Sequence, residues 1–253
     1  MIKVKYFLIL LLFSILFSQC NKHEEEEDFM INSGQYGGRY IGGAIIVKNA
    51  DANSFEVEII TCRTIFSMSN NQRDWMSYSV NDNDYNAELT ESINFTDYTL
   101  KKYIGKNTLP GYGSYKFSCH LIQFKNSFFI NCNDMKESEI FLESTVIVNP
   151  EYPNMCAEPT DSIFNIEVKR GTVLDYDLEF NDPEGDSLAY NLIPASDNFY
   201  LPEQPPFVTN DGYLYWNNPA VAGKFSYRII VEEWRSGVKL ASSSYLIIVD
   251  VKE

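Results

Sequence analysis

The chain has 253 residues, with 20 Lys and Arg against 35 Asp and Glu, and a formal charge of −15. Hydrophobic residues make up 45% and aromatics 15%, which excludes an intrinsically disordered chain and, at about 100–150 residues per domain, leaves material for two packed cores. The acidic balance excludes the Lys and Arg clusters that bind nucleic acid or anionic lipid surfaces, so no nucleic-acid partner is expected.

The N-terminus reads as an address. Lys3 and Lys5 precede the apolar run Tyr6 to Phe17, whose twelve residues fall short of the roughly 20 that a membrane-spanning helix needs. A basic start followed by a short apolar stretch is the export-signal pattern, placed at residues 1–19. The sequence Leu16-Phe17-Ser18-Gln19-Cys20 resembles the lipobox of bacterial lipoproteins, in which the cysteine is lipidated and becomes the first residue of the mature chain; Gln19 stands where a small residue is usual. Ordinary cleavage nearby would instead leave Cys20 as a thiol. Residues 20–37 then carry Glu24, Glu25, Glu26, Glu27 and Asp28, five consecutive acids that repel one another and predict an extended tether. The run also resembles the acidic tag of surface-displayed lipoproteins in Bacteroidota.

Beyond Asp28 the pattern is β. Short period-2 segments rich in Val, Ile, Tyr and Phe alternate with Gly, Asn, Asp and Pro. The expected strands are 44–48, 55–63, 98–104, 114–124, 128–131 and 141–148, then 163–168, 172–180, 188–192, 213–216, 224–234 and 239–251. Such spacing predicts sandwiches. A Pro-containing stretch at 150–160 is expected to link a domain at 38–149 to a second at 161–253.

Two hairpins can be registered from their turns. Ser236-Gly237 fits a two-residue turn, which sets Tyr227 opposite Leu246 and Phe225 opposite Ile248. A turn at Lys125-Asn126 sets Cys119 opposite Cys132, close enough for a disulfide, and leaves Cys62 and Cys156 for each other. Buried thiols are the alternative.

Catalytic constellations are sparse. Of His23 and His120, only His120 lies where a fold could hold it, and a half-exposed place on a strand explains it. The glycines Gly34, Gly37, Gly38, Gly42 and Gly43 open onto no helix, so they read as flexible backbone before an edge strand. Asp182-Pro183-Glu184-Gly185-Asp186 has a shape. Acids at alternate positions around a glycine could converge on calcium, whereas a plain Pro-Gly turn explains the same residues.

The stretch F-N-D-P-E-G-D-S-L-A-Y at Phe180–Tyr190 resembles the signature of cadherin-like and Ig-like modules of bacterial surface proteins. The downstream P-P-F at Pro205–Phe207, D-G-Y-L-Y-W at Asp211–Trp216 and A-G-K-F-S-Y at Ala222–Tyr227 follow in the order of that signature. V-E-E-W-R-S-G-V-K at Val231–Lys239 is similar to repeats of Bacteroidota proteins with gliding-motility-associated C-terminal domains. Upstream, the segments at Gly42, Gly111–Tyr115 and Phe141–Pro150 fit a first module of that architecture. The resemblance implies two tandem Ig-like or cadherin-like β-sandwich domains outside the cell, with Asp182, Glu184 and Asp186 as calcium ligands.

These readings converge on a non-catalytic binding, adhesion or scaffold module, held on the outer membrane by its lipid and facing outward, with a protein or glycan ligand. The alternatives are a carbohydrate-binding accessory of a glycan-uptake system, using Trp75, Trp216, Trp234 and tyrosines, and a hydrolase working through two carboxylates.

Overall fold

The computed structural model describes residues 40–50, 54–64, 74–123, 129–133 and 138–253. The export segment, Cys20, the acidic tether, Gly34, Gly37, Gly38 and the Lys125-Asn126 turn lie outside the described residues. Within them the chain is all-β, without a helix, and no helix is long and apolar enough to cross a membrane. The described residues belong to a single contact unit.

Seven strands make up the first half: β1 (Tyr40–Ala50), β2 (Phe55–Thr64), β3 (Trp75–Val80), β4 (Asn83–Asn94), β5 (Tyr98–Asn107), β6 (Gly113–Gln123) and β7 (Ser138–Val148). The second half holds β8 (Glu158–Pro159), β9 (Asn165–Lys169), β10 (Leu174–Asp177), β11 (Phe180–Asn181), β12 (Ser187–Pro194), β13 (Phe207–Val208), β14 (Tyr213–Trp216), β15 (Gly223–Arg235) and β16 (Val238–Lys252).

The main ladder runs β1-β2-β5-β4-β3-β6-β7-β16-β15-β12 and is antiparallel throughout. One edge of β16 is taken by β15 along almost its whole length. The other edge is shared in turn by β7 at Ala241–Ser243, β1 at Tyr245 and Leu246, and β9, in parallel, from Ile248 to Lys252. The strands from β1 round to β7 therefore form a circuit that closes at β16. Ser144 reinforces the closure, since its hydroxyl donates to Ile45 O and lies 2.9 Å from Ser243 Oγ. Two small sheets, β10-β14-β13 and β11-β8, complete the second half.

Hydrogen bonding thus runs through the expected 150–160 boundary. The reason is visible in β16, whose residues from Tyr245 to Val251 are all buried, on both faces, and need neighbours from both halves. β1 has the same character, being buried continuously from Ile41 to Val47. It is paired on both sides at Gly43 and Ala44, so it is not the edge strand anticipated from its glycines. Gly42 is needed for close approach: a Cβ there would come within 2.6 Å of Phe164 Cβ.

Local turn chemistry explains the hairpins. Asn81 and Asp82 both have positive φ (45° and 67°) and join β3 to β4. These two strands were not anticipated, because β3 and β4 bury only part of one face and carry many Ser, Asn, Asp and Glu residues. Conversely, of the strand expected at 128–131 the described residues 129–131 show only a bridge from Phe129 to Lys224. Ser236 (φ 52°) and Gly237 (φ 79°) form the expected turn, pairing Arg235 with Val238 and Trp234 with Lys239. A bulge then inserts Leu240, so Tyr227 faces Ile247 and Phe225 faces Val249, one residue beyond the anticipated partners.

Two aromatic clusters mark the interior. In the first half Phe55 meets Phe117 edge-on at 5.1 Å, with Tyr78 and Tyr85 beside them. In the second, Trp216 packs edge-on against Phe225 at 5.0 Å and donates its indole N–H to Gln204 O at 2.7 Å. Each such aromatic pair adds about 0.5–1.5 kcal/mol beyond area burial.

Candidate metal centre

The turn between β11 and β12 is organised by Asp182. Its Oδ1 accepts the Glu184 N–H at 3.0 Å and the Asp186 N–H at 2.7 Å, while its carbonyl accepts the Gly185 N–H at 3.2 Å. Gly185 supplies the positive φ of 77° that the reversal needs, and Pro183 fixes the first corner. The turn reading of this sequence therefore accounts for its backbone.

Its side chains do more. The Asp186 carboxylate is only 2% exposed and receives a two-pronged contact from Arg235, with Nε at 2.5 Å and Nη2 at 2.9 Å. Glu233 comes from the strand that carries Arg235, two residues away on the same face, and is fully buried. Its Oε2 accepts from Asn154 Nδ2 at 2.5 Å and its Oε1 from the Ala157 N–H at 2.6 Å. Tyr245 donates its hydroxyl to Ala157 O, holding the linker onto β16.

One carboxylate oxygen from each of Asp182, Asp186 and Glu233 lies within 4.8 Å of the others. Of the three expected calcium ligands, Asp182 and Asp186 are brought together. Glu184 is not, because it turns away to accept the Met155 N–H at 3.2 Å. Sequence reasoning missed Glu233, Arg235 and Asn154. The available signal was the i, i+2 spacing of Glu233 and Arg235, which places opposite charges on one face of a strand.

Burial pushes the Glu233 carboxyl up to about 7, and the charges of Asp182 and Asp186 act in the same direction against the bonds from Ala157 and Asn154. Asp182 Oδ2 is buried without a hydrogen-bond partner. The centre is thus an acidic knot already holding one cation, Arg235, with one carboxylate oxygen still lacking a donor. Oxygen-only chemistry of this kind suits a hard cation such as calcium, which takes about 6–8 oxygens, so carbonyls or water would have to complete the shell. Both Glu233 oxygens are engaged and the side chain is not exposed to solvent, so its raised pKa comes chiefly from burial.

The disulfide expectations are corrected. Cys119 stands opposite Leu142, because β6 pairs with β7 and not with the described residues 129–131, while Cys132 bridges to Phe199. Cys62 pairs opposite Gly42 on β1, whereas Cys156 donates its N–H to Val47 O. Five residues of strand separate those positions, roughly 16 Å, against the 4.4–6.8 Å that a disulfide requires. No disulfide joins the four cysteines. Burial pushes the Cys119 and Cys156 thiols up to about 12.

His120 lies on β6 and stacks on Phe141 at 4.6 Å, with its Nε2 3.8 Å from Glu139 Oε1. Of the tryptophans, Trp216 is core, Trp75 is exposed, and Trp234 donates to Glu232 at 3.2 Å.

The structure is similar to a solved chain described as "Tandem Ig repeats of Dlar", at 12% identity over 83% of this chain and 98% of that one, with a TM-score of 0.26. No family model and no curated protein matches the sequence.

Proposed function

We propose that the chain is a cell-surface lipoprotein of the outer membrane, acting as a non-catalytic binding, adhesion or scaffold module. One juxtaposition carries the reading: an export-type segment ending at Cys20 stands about twenty residues ahead of an all-β unit. Its acidic tether supplies the spacing from the membrane, and the cadherin-like signature at Phe180–Tyr190 supports an Ig-like or cadherin-like module. Calcium is the proposed ion, held by Asp182, Asp186 and Glu233, with Glu184 fixing the linker in place of ligating.

The anchor is tested by palmitate labelling in cells and by protease digestion of intact cells. Incorporation that disappears in Cys20→Ser, together with cleavage from outside, is expected; label absent from the native chain would overturn the anchor. The ion is tested by melting in millimolar calcium, the range that weak extracellular sites require, at roughly 10⁻⁴–10⁻³ M. A rise of the melting temperature with calcium, smaller with magnesium and lost in the double change Asp182→Asn and Asp186→Asn, is the expected result. An equal rise in the double variant would reduce the effect to charge screening.

A further inference from the structure

A second place combines features that the knot lacks. A cavity of 380 Å³ opens beside β7, β15 and the segment 195–198 that follows β12, within the range of about 300–1,000 Å³ typical of small-molecule sites. Phe141 stands at its edge. Its neighbours Ile140 and Leu142 are fully buried, so strand alternation turns Phe141 outward, where it is 42% exposed. His120, paired with Phe141 across β6 and β7, lies parallel to the ring at an interplanar angle of 6° and covers one face. The rest of the half-exposed ring offers apolar surface at the cavity edge.

The remaining wall is polar. Glu139 and Asp197 supply carboxylate oxygens, Asn198 an amide, and Arg228 a guanidinium that donates from Nη1 to Phe141 O at 3.2 Å. Arg228 Nε and Ser196 Oγ, also on lining residues, are buried without a hydrogen-bond partner. Buried polar atoms of this kind call for a compensating group. An apolar ligand would leave them, and the carboxylates, without one. An anion would meet two carboxylates against one guanidinium. A neutral ring bearing several hydroxyls meets neither objection, since its hydroxyls donate to Glu139 and Asp197 and accept from Arg228 while its C–H face rests on Phe141.

We infer that this cavity is a subsite for a neutral saccharide. The inference rests on the binding-module reading and gives it a ligand class and an address. It is tested on the purified full chain by saturation-transfer NMR and calorimetry with neutral gluco-, manno-, galacto- and N-acetylglucosamine oligomers, with a uronate oligomer and choline as charged probes. Binding of at least one neutral oligomer is expected, weakened roughly two- to tenfold by Phe141→Ala, as the loss of a stacking contact implies. Glu139→Gln, at a solvent-exposed position, should weaken it in the same direction without disturbing the fold. Unchanged binding in both variants, binding of the uronate or choline alone, or no saccharide binding at all would overturn the subsite. Such a failure is separable from failure of the surface-module reading, which shows instead as loss of palmitate labelling and of protease access on intact cells.

Discussion

Around Glu233 the acids turn inward, and every carboxylate oxygen of the knot except Asp182 Oδ2 has a donor; beside Phe141, Glu139 and Asp197 turn outward. Similar side chains therefore sit in opposite dielectric settings. In the knot, desolvation has to be offset by Arg235, Asn154 and backbone N–H groups, which ties the β11–β12 turn, the linker and the β15–β16 hairpin into one unit. At the cavity Glu139 and Asp197 are exposed, so their charges need no fixed cation to offset desolvation. The contrast teaches that burial decides what acidity does in this chain: buried acids are tied into cohesion, and exposed ones are the groups the proposed saccharide subsite would use.

The comparison breaks most visibly at Arg235. Arg235→Ala leaves the Asp186 carboxylate buried and unpaired, and urea unfolding should register a loss toward the lower end of roughly 3–5 kcal/mol, because the arginine is itself a quarter exposed. A loss no larger than that of an ordinary surface change would show that the knot does not hold the hairpin.

A pH series in chelator sharpens the same point. The Glu233 carboxyl titrates near 7 in the folded chain against an ordinary value of 4.5, so the native state keeps a proton that the unfolded state gives up in that window. Stability attributable to this group is therefore present below pH 4.5, falls as pH rises toward 7, and is flat above; the whole fall is on the order of 3 kcal/mol. Glu233→Gln should flatten the profile between those limits, and an unchanged slope would assign it to other groups.

Gly237→Ala probes the hairpin from its tip. At φ 79° an added Cβ meets backbone sterics alone, since nothing lies within 4 Å of it, so a cost of about 1–2 kcal/mol is expected in the same unfolding assay. A stabilising effect would contradict the turn geometry. The smallest effect belongs to the cavity: Phe141→Ala should cost about 0.5–1.5 kcal/mol, the worth of a stacked pair such as the one it makes with His120. A loss of several kcal/mol would make Phe141 a packing residue and remove the contrast between the two regions.

By itself the sequence determined what local chemistry dictates. The β character follows from period-2 runs of branched and aromatic residues, and the turns at Asp182–Gly185 and Ser236-Gly237 follow from which residues tolerate their backbone angles. Strands with one polar face, such as β3 and β4, carried too little apolar signal to be read, although the positive-φ pair Asn81-Asp82 marked their turn. Tertiary structure alone decided who pairs with whom. Cys119 faces Leu142 in place of Cys132, because β7 offers β6 eleven residues of ladder and the segment at 129–133 offers none. Likewise one inserted residue, Leu240, shifted the β15–β16 register, and burial of Glu233 among Asn154, Ala157 and Asp186 turned one of two adjacent glutamates into the centre of the knot. Turns depend on the angles of two or three residues, whereas partners distant in the chain are chosen by the burial they jointly achieve, and that total exists only once the whole chain has packed.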